Sequence, residues 1–301
     1  MTPDRIETDS LDVIFVGRAN IDLTVRIPFR PAAGRTAFAS ELMVTAGGKS
    51  LNQAIAVSRF GGRAALVANA GADHWGDQLM RDLTEAGVDT TCFRLLPGAR
   101  TGAAIIEVTP DGENFLVLAL SPAAELTLSD VGQALTRINA PVVVVQLDLP
   151  PEPLSRVLAE GRPSTVIGNL VPHPAFDRRL LSRCDVLVVN QQEAEVMLAV
   201  AEVDPLDAAR QLRHLGPSAV VVTAGARGAA YGSIHGSDTV AAAAVPVVDT
   251  TGAGDAFLGS LALDLSRGVP LGNAVARAVR AGTEAVQHEG AQLPAAPGGV
   301  T

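Results

Sequence analysis

Cysteine is scarce in this chain of 301 residues: there are two, Cys92 and Cys184, far apart and outside any C-x-x-C. That argues against a disulfide framework and against structural zinc. Five histidines show neither H-E-x-x-H nor any other paired-ligand spacing. Aromatic residues make up 3% of the chain, with Trp75 and Tyr231 the single representatives of their types, so stacking platforms for bases are disfavoured. Lys and Arg number 23 against 32 Asp and Glu, giving a net charge of −9 without a basic cluster, which argues against nucleic-acid and anionic-membrane partners. Residues 1–10 are polar and acidic with no apolar signal core, and no run approaches the roughly 18 apolar residues of a bilayer span, so a cytoplasmic protein is expected. G-x-G-x-x-G is missing after the first apolar run, where Gly17 is followed by Arg18-Ala19-Asn20, and a dinucleotide oxidoreductase is disfavoured.

What the chain does have is apolar content, 48% of residues, enough for a large core. Short apolar runs at Leu11 to Gly17, Ala64 to Ala70, Pro141 to Leu147, Thr165 to Gly168, Asp185 to Val189 and Ala219 to Thr223 read as strands buried on both faces. Amphipathic segments such as Ser50 to Phe60, Trp75 to Ala86 and Pro205 to Leu215 alternate with them, which predicts an α/β fold with a mostly parallel, doubly wound sheet flanked by helices. Leu23 to Val44 and Thr101 to Ala119 break the rhythm with strand-like runs and turn residues, and read as a small β lid. No mid-chain linker stands out, so one domain over 11–295 with flexible tails at 1–10 and 296–301 is expected.

The densest chemical signal is Asp249-Thr250-Thr251-Gly252-Ala253-Gly254-Asp255. Phe257, Leu261 and Leu265 recur at spacing four up to Gly268 and predict a helix whose first turn holds Asp255. Free N–H groups and the positive dipole end would let an anion lie over Gly252, Ala253 and Gly254, while Asp255 accepts the proton of a hydroxyl, the arrangement of a phosphoryl-transfer site. Taken alone, the same aspartate is better explained by its favourable place at a helix start.

Four further constellations bear on that choice. Asn20 and Asp22 follow the first strand, where ligands bind in open α/β sheets, and together suit vicinal hydroxyls, although both types are common in turns. Gly47-Gly48-Lys49-Ser50 resembles a P-loop tail, but Met43 stands where a glycine is required; what remains is a Gly-Gly turn with Lys49 and Asn52 opening a helix, placed to reach one ligand. Asn190 and Glu193 form a capping-box pattern, and Glu193 also suits the ordering of water around a Mg²⁺ ion on nucleotide phosphates. Thr223, Gly225 and Gly228 lie in a turn that would let a nucleotide approach closely, or simply close a hairpin.

Taken in order, G-x-x-N-x-D, G-G-K-x-x-N-Q, N-x-x-E, T-x-G-x-x-G and D-T-x-G-A-G-D resemble the motif series of the PfkB carbohydrate kinases, the ribokinase family, over Val13 to Gln292. The resemblance implies a ribokinase-like fold with a β lid that often forms a homodimer interface, and an ATP- and Mg²⁺-dependent sugar kinase. It implies that Asn20, Asp22, Gly47, Gly48, Lys49 and Asn52 bind the sugar, with Asp148 at an acidic contact usually filled by Glu. Asp255 would be the base, and Gly252, Ala253 and Gly254 the anion hole. Asn190 and Glu193 would support Mg²⁺, Thr223, Gly225 and Gly228 would line the ATP site, and Asp249 and Thr251 would hold a potassium ion. Ser50, in place of a third glycine, and the segment Leu118 to Ala124, in place of Gly-Ala-Asn, depart from the pattern. Ribose is the expected acceptor, with fructose, a keto-deoxy sugar acid or a nucleoside as alternatives, and a non-catalytic sensor as the rival class.

Overall fold

The computed structural model describes residues 10–110, 114–160, 164–169 and 176–294. The tails expected at 1–10 and 296–301 lie outside these, except for Ser10. In chain order the strands are β1 (Val13–Val16), β2 (Asn20–Arg26), β3 (Glu41–Gly47), β4 (Ala64–Gly71), β5 (Phe93–Leu96), β6 (Ala103–Val108), β7 (Asn114–Ala119), β8 (Val142–Gln146), β9 (Thr165–Asn169), β10 (Val186–Asn190), β11 (Ala219–Thr223), β12 (Ala229–Ser233) and β13 (Gly236–Val240). The α-helices are α1 (Lys49–Arg59), α2 (His74–Glu85), α3 (Leu128–Arg137), α4 (Pro151–Glu160), α5 (Gln191–Leu198), α6 (Pro205–Arg213), α7 (Ala253–Ser266) and α8 (Leu271–Ala285).

Nine strands form the large sheet in the order β13-β12-β11-β10-β9-β8-β1-β4-β5. All pairings from β11 to β5 are parallel, and β12 and β13 add an antiparallel edge. The apolar runs explain this: side chains alternate faces along a strand, so VIFV in β1 feeds two cores at once. Val13 and Phe15 pack with α1, α2, α7 and α8 residues such as Leu51, Leu79, Phe257 and Val275. Ile14 and Val16 pack on the other face with Val131, Leu154, Ala194 and Leu212, from α3 to α6. Each fully buried Leu or Ile contributes about 1.5–3 kcal/mol, so the two layers fix the sheet's register. Among the described residues no helix is long and apolar enough to cross a membrane.

Helix starts follow local chemistry. Asp73 caps α2 through Gly76 N–H, and Asp204 caps α6 through Leu206 and Asp207. The expected helix at Trp75 to Ala86 begins one residue earlier, because that cap sits at Asp73. The α7 helix carries buried residues on nearly every side, which blurs its periodicity beyond the spacing-four stripe.

The second sheet has four strands in the order β3-β2-β6-β7 and realises the lid. Its bounds correct the expectation. Strand pairing begins at Asn20 and ends at Gly47, outside Leu23 to Val44, so the motif residues at both ends are themselves lid-strand residues. The chain order reverses between β1 and β8, whose carboxyl ends open the crevice where ligands bind in such sheets.

Candidate active site

Asn20 and Asp22, expected where the chain leaves the carboxyl end of the first strand, open a strand of their own and lie on one face of β2, two residues apart. Asn20 donates its amide N–H to Asp22 Oδ1 at 2.7 Å. Burial drives the Asp22 carboxyl up to about 6 against the lowering effect of that bond, and the charge of Asp255 pushes in the same direction as burial. The Gly-Gly turn has a steric reason, since a Cβ on Gly47 would lie 2.2 Å from the Asp22 carboxylate. A side chain at 47 would therefore displace the acid.

Behind this pair, Ser50 is 1% exposed and donates its hydroxyl to Gln146 Oε1 at 2.9 Å, where Arg18 N–H also donates at 2.6 Å. The departure at Ser50 thus braces the end of β8 and stays off the cleft surface. Asp148, just beyond β8, accepts from Arg18 Nη1 at 2.5 Å, and Arg18 Nε donates to Glu125 Oε1 at 2.8 Å. The acid expected as a sugar contact is therefore held in an ion-pair cluster, with its Oδ1 enclosed and unpartnered.

Lys49 and Asn52 open α1 but diverge. Lys49 Nζ donates to Glu193 Oε1 at 3.3 Å, while Asn52 Nδ2 donates to Asp255 Oδ2 at 3.3 Å. Gln53, the next residue, donates to Asp255 Oδ1 at 2.9 Å. Burial pushes the Asp255 carboxyl above its ordinary range, opposed by the Gln53 bond, the Lys49 charge and the Asn52 bond. Asp255 sits in the first turn of α7, as expected. Gly252 has φ 76, and a Cβ there would meet the Ala291 carbonyl at 2.0 Å, while a Cβ on Gly254 would meet nothing within 4 Å. The turn is thus packed on one side and open on the other, where an anion can approach the α7 amides.

Asn190 and Glu193 form the capping box at the start of α5, with Glu193 Oε2 accepting Asn190 N–H at 2.7 Å. Thr223, Gly225 and Gly228 close the antiparallel β11–β12 hairpin and also line a cleft of about 490 Å³, whose far wall includes Thr250, Gly254 and Phe257. The hairpin reading therefore holds, and the same turn faces the cleft. Asp249 Oδ1 accepts Thr251 N–H at 2.9 Å and Oδ2 accepts Gly290 N–H at 3.0 Å. Burial would raise this carboxyl, but the Thr251 and Gly290 bonds and the Arg26 charge leave it below its ordinary value.

The sequence assigned no role to Arg18, Glu125, Gln146, Gln53 or Asn169, although Gln53 closes the G-G-K-x-x-N-Q pattern. A signal existed for two of them: VVVVQ and TVIGN each end an apolar strand on an amide, at the edge where ligands bind.

A family model described as pfkB family carbohydrate kinase matches residues 10–297. The chain is 30% identical over 297 residues to a ribokinase of Schizosaccharomyces pombe, covering 93% of both chains. A Thermotoga maritima ribokinase structure superposes with a TM-score of 0.83 at 28% identity, covering 95% of this chain and 96% of that one. The Arabidopsis thaliana ribokinase complexed with ribose and ATP gives 0.80 at 25% identity and 94% coverage of each chain. The chain has the ribokinase-like α/β fold and belongs to the pfkB family of carbohydrate kinases, phosphotransferases with an alcohol group as acceptor.

Proposed function

We propose that the protein is a cytoplasmic kinase that uses ATP and Mg²⁺ to phosphorylate the primary hydroxyl of a small neutral sugar, with ribose converted to ribose 5-phosphate. The observation that carries the reading is Asp255 in the first turn of α7, held by Asn52 and Gln53. It supports a base presented beside open backbone amides. Ribose and ATP bound together in the Arabidopsis ribokinase support the choice of ligands.

In this reading Asn20, Asp22, Gly47, Gly48, Lys49, Asn52 and Asp148 shape the acceptor site. Asp255 takes the hydroxyl proton as the oxygen attacks the γ-phosphorus in line, while the amides of Gly252, Ala253 and Gly254 receive the growing negative charge. The nucleotide occupies the cleft beside Thr223, Gly225 and Gly228, against an apolar wall that includes Ala243 and Val247. A Mg²⁺ ion carried on the nucleotide phosphates, which keeps several of its own waters, would lie beside Glu193 and Asn190 at the start of α5. When bound, that ion neutralises phosphoryl charge. Asp249 and Thr251, packed against the 286–291 loop, offer hard oxygens of the kind that suit K⁺. Four acids, Asp22, Glu125, Asp148 and Asp255, outnumber Arg18 and Lys49 around the acceptor site, which disfavours sugar acids.

ADP release from Mg-ATP should be fastest with ribose in a panel of pentoses, hexoses, keto-deoxy sugar acids and nucleosides, and should rise with K⁺. Faster turnover of another acceptor would move the assignment within the family. Binding without any turnover would favour a sensor.

The lid also supports a homodimer. Val44, Leu23, Ile105 and Val117 form one cross-strand row, and Val44, Ile105 and Val117 are exposed. An exposed apolar row on a β sheet is a ready interface. The double variant Ile105→Asp, Val117→Asp is expected to halve the mass seen by light scattering; an unchanged mass would remove the lid from the interface.

A further inference from the structure

Gln53 is 1% exposed inside α1, yet it is polar, and its Oε1 is enclosed with no partner. Its Nε2 is shared by two acceptors, Asp255 Oδ1 at 2.9 Å and Asn169 Oδ1 at 3.1 Å. Asn169, the last residue of β9, is itself tied by Nδ2 to the Val188 carbonyl at 3.5 Å. The other oxygen of Asp255 has the longer bond, 3.3 Å from Asn52, whose own Oδ1 accepts from Gln292 at 3.3 Å. An enclosed amide oxygen without a partner is costly, so packing alone would prefer an apolar side chain of this shape. What the amide adds is a donor aimed at one oxygen of the acid.

We propose that Gln53, fixed by Asn169, is a positioning residue that clamps Oδ1 of Asp255 and leaves Oδ2 to take the acceptor's proton. The clamp rests on the reading of Asp255 as the base. It orients the carboxylate and favours its charged form, which burial opposes and Lys49 supports. Lys49 is in turn shared with Glu193 of α5.

The test is kcat against pH, at saturating Mg-ATP and the best acceptor of the panel, for wild type, Gln53→Met and Gln53→Glu, with Asp255→Asn alongside. Methionine keeps the length and removes the donor; glutamate keeps the shape and replaces the donor with a second acid. The acidic limb of kcat should move to higher pH in the order wild type, Met, Glu. Turnover at neutral pH should fall about tenfold in Gln53→Met, the worth of one charge-assisted hydrogen bond, with acceptor KM nearly unchanged and no loss of thermal stability. Acidic limbs that coincide in all three proteins, or activity that falls only with the folded fraction, would overturn the clamp while leaving the base intact. Near-wild-type turnover of Asp255→Asn would overturn both.

Discussion

Asp255→Asn is expected to lower kcat by about 10²- to 10⁴-fold, the range for loss of a general base, while the acceptor KM changes little. An amide has no proton-accepting oxygen of comparable basicity. It keeps the size of the acid, though, and its carbonyl oxygen can still accept from Gln53 Nε2, so the start of α7 and the acceptor site should stay in place. Burial raises the Asp255 carboxyl, and the base acts in its ionised form, so wild-type kcat should fall as pH is lowered through that raised value. The residual activity of the variant should lose this acidic limb. Steady-state kinetics with a coupled ADP assay decides the matter, and turnover within a few-fold of wild type would remove Asp255 from the chemistry.

The element that carries this prediction was legible in the chain itself. Small residues before an apolar stripe place Asp255 at a helix start, because both the glycines and the stripe are local signals. The parallel sheet was legible for the same reason, since β8 and β11 are unbroken apolar runs. Asn20 and Asp22 were harder. NIDLTVR alternates polar and apolar residues like any half-exposed strand, but its pairing partners lie at 41–47 and 103–108, and nothing local shows that the strand belongs to a second sheet. The Asp148 cluster was hidden for a similar reason. Arg18 meets Glu125 and Asp148 across more than 100 residues, and it is the β1–β8 pairing that brings Arg18 to Asp148. Ser50 shows the limit of a pattern departure: it marks an unusual residue without saying whether the side chain faces ligand or, as here, Gln146.

The acceptor side gives the second large effect. Asp22→Asn should raise acceptor KM by about tenfold to a hundredfold, the worth of hydrogen bonds to a charged partner, with kcat held within a few-fold because the base is untouched. Its pH dependence separates it from Asp255. The Asp22 carboxyl sits at about 6 because burial and Asp255 disfavour its charge, and hydroxyl donors bind its charged form best. Acceptor KM should therefore climb as pH falls below about 6 in the wild type and stay flat in the variant. Folding runs the other way. A raised carboxyl contributes stability at pH below its unfolded value of 3.8, and that contribution is lost as pH rises through about 6. With Asp22 alone considered, the unliganded protein gains stability from acid while the acceptor loses affinity. Bound sugar should thus shift the melting temperature more at pH 7.5 than at pH 5.5, a contrast that thermal melts with and without ribose measure directly. Equal shifts at both values would mean that the acceptor does not read the charge on Asp22, and that Asn20, Lys49 and Asn52 carry its recognition instead.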